Sequence, residues 1–220
     1  MPPRSHGRAP PHDHRRMHEA VWSRAEAVAL LDDPARLDRE NPATLWELAG
    51  LAPGMTVVDV GAGTGHFAFP ASELVGAAGR VYAVDLSAEL VALVRERARS
   101  RGRRNLLAVR STPGRVPLPD EVADRVLLAN VLHGIPPSTV REAVRLLRPG
   151  GQLLDVDWKK RASPAGPPVA HRLAPAEARR ALEAHGLGIV RTTELGPYHY
   201  LLVAEKPEPV PAPRTPRRPR

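Results

Sequence analysis

Val57-Val58-Asp59-Val60-Gly61-Ala62-Gly63-Thr64-Gly65 decides the reading of this chain. An apolar run carries an acid near its end and hands over to three glycines at alternate positions. A buried parallel strand reads as a near-continuous apolar run of this kind. Glycine is required where the backbone turns sharply or lies against a ligand with no Cβ in the way. The stretch therefore predicts a strand, a tight loop and a helix. About twenty residues past Gly65 a second apolar run, Val81-Tyr82-Ala83-Val84, ends in Asp85. An acid at the end of the second strand can accept the hydroxyls of a ribose. Loop and acid together point to a nucleoside-containing ligand.

Outward from this stretch the chain alternates strand and helix. Strands are expected at about 56–60, 80–84, 105–109, 124–130, 152–157, 187–194 and 200–205, with helices at roughly 65–76, 87–101, 137–147 and 175–185. Such alternation specifies a parallel sheet with helices on both faces. The last two strands are joined only by Gly196-Pro197 and their neighbours, and so short a link forces an antiparallel pair. The expected fold is α/β, a Rossmann-like seven-stranded sheet, mostly parallel, with an antiparallel last strand. Ser87 is placed to cap the second helix, with Glu89 in its first turn.

Residues 20–52 read as helices that pack on or cover this domain. Val21, Trp22, Ala25, Val28, Ala29 and Leu31 fall on one helical face. Asn41 can cap the following helix, with Pro42 in its first turn and Gly50 at its end. The expected organisation is a flexible arm over 1–19, helices over 20–52, a ligand-binding domain over 53–206 and a disordered Pro/Arg tail over 207–220.

A chain of 220 residues suffices for one such domain with a full core. It has no cysteine, which excludes thiolate metal sites, disulfides and cysteine nucleophiles. No metal site is expected: beyond the His12, Asp13, His14 and His18 cluster no further ligand is specified. No apolar run reaches the ~20 residues of a membrane span and the first residues lack an apolar core, so the chain reads as soluble and cytoplasmic. The formal charge of +8 would suit nucleic acid, but residues 1–19 and 207–220 hold most of the excess. Lys159, Lys160 and Lys206 are the only lysines. An arginine bias spread over the whole chain reads as composition rather than a binding patch, so nucleic acid is not the expected partner.

Five ordered motifs make the reading specific. They are Asp59-x-Gly61-x-Gly63-x-Gly65, Asp85, Val116-Pro117-Leu118-Pro119-Asp120, Asn130-Val131-Leu132-His133 and Arg148-Pro149-Gly150-Gly151. Together they resemble a class I S-adenosylmethionine-dependent methyltransferase, in the style of the ubiquinone/menaquinone-biosynthesis and related small-molecule enzymes. Val156-Asp157-Trp158-Lys159-Lys160 and Leu195-Gly196-Pro197-Tyr198-His199-Tyr200 further resemble a prokaryotic branch of that family and imply no particular substrate. The resemblance implies S-adenosylmethionine as cofactor and an unidentified, small-molecule methyl acceptor. Its methionine portion would lie along Asp59, Gly61, Ala62, Gly63 and Gly65, its ribose at Asp85 with Leu86 beside it. Asn130 and Val131 would lie near the methyl group. Many relatives carry an acid after the third strand; here Ser111 and Thr112 stand in that place.

Ligands of an open α/β sheet bind beyond the carboxyl ends of its parallel strands. That rule gathers His133, Asp157, Trp158, Lys159, Tyr198, His199 and Tyr200 at one mouth. Methyl transfer from a sulfonium needs alignment first and a base only where the nucleophile carries a proton. His133, His199 and Tyr198 are the candidate catalytic residues. Other readings share parts of the pattern. A nicotinamide-dependent oxidoreductase would share the loop and Asp85, but His66 breaks G-x-G-x-x-G and no Tyr-x-x-x-Lys pair is evident. A methyltransferase of RNA or protein, or a non-catalytic cofactor-binding protein, also fits. Asn-Pro-Pro-Tyr, the mark of amine methylation on adenine or glutamine, is absent.

Overall fold

The computed structural model describes residues 24–209. The expected arm 1–19 with its histidines, residues 20–23 with Val21 and Trp22, and the tail beyond residue 209 lie outside the described residues. Seven strands form one sheet: β1 (Thr56–Val60), β2 (Arg80–Asp85), β3 (Leu106–Arg110), β4 (Ala123–Ala129), β5 (Leu147–Trp158), β6 (Gly188–Leu195) and β7 (His199–Glu205). Their order is β3-β2-β1-β4-β5-β7-β6. The first five pair in parallel, and β7 runs antiparallel to both β5 and β6. The chain leaves β1 toward β2 and β3, then returns to lay β4 on the other side of β1. That reversal opens a crevice between the ends of β1 and β4, where ligands of such sheets bind.

Around the sheet lie α1 (Arg24–Leu31), α2 (Arg36–Arg39), α3 (Pro42–Leu48), α4 (Ala68–Leu74), α5 (Ala88–Ser100), α6 (Pro137–Leu146) and α7 (Pro175–Glu183). One face of the sheet packs Val57, Leu127, Leu154 and Leu201 against Trp46 of α3 and Phe69 and Ala71 of α4. The other packs Val58, Val126, Leu153 and Tyr200 against α6 and α7. These neighbours in sequence go to opposite faces because strand side chains alternate. The expected caps form: Asn41 Oδ1 accepts from Ala43 N at 2.9 Å and Ser87 Oγ from Leu90 N at 3.3 Å. Among the described residues no helix is long and apolar enough to cross a membrane, and no group of three or more His, Asp or Glu could hold a metal.

Three local expectations change. The helix after the glycine loop begins at Ala68 rather than 65, because Gly65 has φ +91°, a value no right-handed helix accommodates. β5 begins at Leu147, not 152. Gly150 donates to Lys206 O and Lys206 N to Gly151 O, both at 2.9 Å, so residues 148–151 join the ladder instead of forming a free turn. The register shift between Ala123 and Arg125 absorbs them. In α1 the buried residue is Ala27, while Ala25 and Ala29 are exposed. Ala27, Val28 and Leu31 form the face that meets Leu90 and Leu93 of α5.

Candidate functional site

Residues 61–65 turn tightly over the end of β1. Gly61 N and Ala62 N both donate to Val84 O, at 2.8 and 3.0 Å, so the loop is tied to the end of β2. Gly61, Gly63 and Gly65 all have positive φ. A Cβ on Gly61 would lie 2.7 Å from Val131 Cγ1, and one on Gly63 would lie 2.8 Å from Leu31 Cδ1. The loop is thus closed over by Val131 from the β4 side and by the end of α1 from above.

Two acids flank it. Asp59 is 1% exposed, and its Oδ2 has no hydrogen-bond partner. Burial pushes its carboxyl up to about 7, against the opposing pull of Arg36. A buried carboxylate oxygen without a donor is costly, and an ammonium group satisfies it. Asp85 uses Oδ2 to accept from Gly63 N and Oδ1 from Ser87 N, both at 2.9 Å. Burial raises its carboxyl despite those donors. A carboxylate has about four acceptor positions, so Asp85 shapes the loop and keeps capacity for ribose hydroxyls. Beside it Leu86 leaves an apolar side chain 44% exposed, a surface suited to a flat base. Ser111 N donates to Asp85 O at 3.0 Å, which brings Ser111 to this end. Thr112 is exposed and bridges to Arg115 in the next turn. An orphaned acid, a glycine loop, a strand-end carboxylate and an exposed apolar residue fit the zwitterionic end, ribose and base of S-adenosylmethionine.

On the β4 side Asn130 takes a left-handed conformation, φ 59°, which Asn tolerates better than most residues. Its Nδ2 donates to Glu40 Oε2 at 2.6 Å, and its buried Oδ1 has no partner. Val131 follows against Gly61, and then His133. His133 Nδ1 lies 2.9 Å from both carboxylate oxygens of Asp157, and His133 N donates to Asp157 Oδ2 at 3.2 Å. Trp158 N adds a donor to Asp157 Oδ1 at 2.7 Å. Asp157 is therefore an anchored acceptor that draws the proton of the neutral imidazole to Nδ1 and makes Nε2 its basic nitrogen. Asp155, fully buried two residues earlier on β5, has its carboxyl pushed well up by burial and by Asp157.

The other catalytic candidates separate from His133. His199 pairs with Trp158 across β5 and β7, on the opposite face of the sheet from Asp157. Its ring centroid is 4.1 Å from that of Trp158, its Nδ1 meets Arg39 O at 3.2 Å, and its Nε2 is 3.7 Å from Glu40 Oε2. Burial lowers its pKa although Glu40 pulls the other way. Tyr200 is buried on the α6–α7 side. Tyr198 is half-buried in the turn, where its carbonyl accepts from Lys159 N at 2.7 Å. Lys159 itself is tied to Glu194 at 3.1 Å. Within the expected mouth, His133 with Asp157 and His199 with Trp158 thus stand on opposite faces of the sheet.

Residues 31–40 cover the α3–α4 half. Arg97 of α5 holds Asp32 at 2.5 Å and Thr64 O at 3.2 Å. Glu40, 3% exposed, is bonded by Arg36 and Asn130, while its carbonyl meets His66 Nε2 at 3.1 Å. Burial works to raise the Glu40 carboxyl, but Arg36, His199 and Asn130 hold it below the ordinary range. Arg36 and Glu40 were not singled out by sequence reasoning; only their i, i+4 spacing could have marked them. Asp157 was placed at the mouth but not paired with His133. Its acid in an otherwise apolar buried strand was the available signal.

Comparison with known proteins bears on the family. Residues 58–154 match a family described as methyltransferase domain. The chain is 34% identical over 117 residues to ubiquinone/menaquinone biosynthesis C-methyltransferase UbiE of Shewanella sediminis. That match covers 52% of this chain and 47% of the relative, so the chain spans about half the length of the curated relatives it matches. The [4+2]-cyclase SpnF, 21% identical with a TM-score of 0.65 over 76% of this chain and 80% of its own, shares the fold. A SAM-dependent methyltransferase from Aquifex aeolicus superposes with a TM-score of 0.78 at 33% identity, over 81% of this chain and 96% of its own. At that identity and coverage, the chain belongs to the S-adenosylmethionine-dependent methyltransferases.

Proposed function

We propose that this chain transfers a methyl group from S-adenosylmethionine to a small-molecule acceptor. The observation that carries the reading is the placement of Asp59, with its unpartnered oxygen, and Asp85 on either side of residues 61–65. When bound, the cofactor supplies a methyl group already activated on a sulfonium. The chain has to bind, align and exclude water. Asp59 and residues 61–65 hold the amino-acid end, Asp85 the ribose, and Leu86, Ser111 and Thr112 the base. Asn130 and Val131 border the reacting end. His133 Nε2 accepts a proton from the acceptor, and Asp157 stabilises the imidazolium that results. Residues 24–52 serve as a lid; the contact of Leu31 with the Gly63 position and the Arg97–Asp32 pair support that part.

The shared fold of a cyclase is a reminder that architecture alone does not choose the reaction. Calorimetry with S-adenosylhomocysteine and with NAD tests the donor. The proposal expects saturable binding of the first and none of the second. Binding of NAD alone contradicts it. RNA retention that falls steeply with salt would replace the small acceptor by nucleic acid.

A further inference from the structure

Two unpartnered acceptors and one cation lie near the ends of β1 and β4. Asp59 Oδ2 and Asn130 Oδ1 are buried acceptors with no donor. Both call for a group with several N–H donors, and an ammonium has three. The cation is the Arg36 guanidinium, 11% exposed in its side chain and 5.6 Å from the Phe67 ring just past the glycine loop. Its fork points at one carboxylate, that of Glu40, and at Leu31 O. Glu40 comes from the same covering segment as Arg36, not from the sheet. Arg36 is also the cation that acts on Asp59, Glu40, His66 and His199 together. Arg39, the other arginine of α2, turns one terminal nitrogen to Asp33 at 3.1 Å and leaves its buried Nε without a partner.

Acceptors short of an ammonium, beside a guanidinium held by a lid carboxylate, describe the two ends of one α-amino acid. We propose that Arg36 receives the α-carboxylate of S-adenosylmethionine, and that Glu40 occupies that position when the cofactor is away. This rests on the donor assignment above and adds to it a residue outside the matched methyltransferase domain. Arg is suited to the role because its planar fork takes a carboxylate through two parallel bonds. Cofactor entry then exchanges one carboxylate for another at Arg36 and leaves Glu40 with Asn130, which it already bonds. The covering segment thereby senses whether the amino-acid end is filled.

The test is calorimetric binding of S-adenosylhomocysteine and of its decarboxylated analogue, S-adenosyl-3-thiopropylamine, to the wild-type chain and to Arg36→Met. The wild type should prefer S-adenosylhomocysteine by about 10- to 100-fold, the scale of a charge-assisted pair. Arg36→Met should erase that preference and leave the affinity for the decarboxylated analogue within about twofold. Arg36→Lys, which keeps charge but not the fork, should retain part of it. Glu40→Gln should tighten S-adenosylhomocysteine alone. Equal affinities in the wild type, or equal losses for both ligands in the Arg36 variants, overturn the assignment. If the wild type binds neither ligand, the donor reading itself falls and this inference with it.

Discussion

His133 Nδ1 stands 2.9 Å from each carboxylate oxygen of Asp157, across the gap between the end of β4 and the end of β5. The contact fixes the ring's tautomer, with the proton of the neutral imidazole on Nδ1. Long-range 15N spectra of the wild type should report Nδ1 protonated in the neutral ring. Asp157→Asn should abolish that preference and lower stability by about 1–3 kcal/mol in urea unfolding, the scale for losing hydrogen bonds to a buried charged group. A variant with unchanged tautomer and stability would deny Asp157 its positioning role.

If the base is His133, its loss touches the chemical step and not the donor. His133→Ala should leave S-adenosylhomocysteine affinity within about twofold. It should lower kcat by about 10²- to 10⁴-fold for an acceptor that loses a proton. His199, on the other face of the sheet and packed on Trp158, should behave differently. His199→Ala should act through stability and the seating of Glu40, with kcat affected far less.

Gly63 and Leu31 form a second testable pair. A Cβ on Gly63 meets Leu31 Cδ1 at 2.8 Å, and the residue sits at φ +56°. Gly63→Ala should cost about 1–2 kcal/mol through backbone strain and overlap. Adding Leu31→Ala should recover the overlap part, which a double-mutant cycle measures as coupling between α1 and the loop. Strict additivity would mean that α1 does not rest on the glycine loop in solution.

Asp59 makes a pH prediction. Its carboxyl is raised by burial from 3.8 to about 7 in the folded chain. The folded state therefore holds a proton that the unfolded state has released between those values. That contribution to stability is full below about 4 and is lost as pH rises through 7, by about 4 kcal/mol. Asp59→Asn should gain on the wild type between pH 5 and 8. For ligand the sign reverses, because an ammonium favours the ionised acid. S-adenosylhomocysteine affinity should rise with pH up to about 7 and level off, with proton release below that. A pH-independent affinity would mean that Asp59 does not face the ammonium.

Much of this was legible in the chain. β1, its loop and β2 are local: apolar run, glycines and strand-end acid all lie within thirty residues, and each agrees with the next. The short link at Gly196-Pro197 was enough to set β7 antiparallel. The site on the far side of β4 was less legible. Whether His199 also faces Asp157 depends on the register Trp158↔His199, which sends His199 to the opposite face, and a one-residue slip would bring it to the Asp157 side. Arg36 and Glu40 acquire meaning only when α2 docks over residues 66–67 and Asn130, and no local pattern encodes that contact.

The most direct measurement is a crystal structure with S-adenosylhomocysteine bound. The account predicts its ammonium on Asp59, its ribose hydroxyls on Asp85, and its sulfur facing the space bordered by Val131 and His133. A ligand seated elsewhere, or in this crevice with the sulfur turned away from His133, would contradict it.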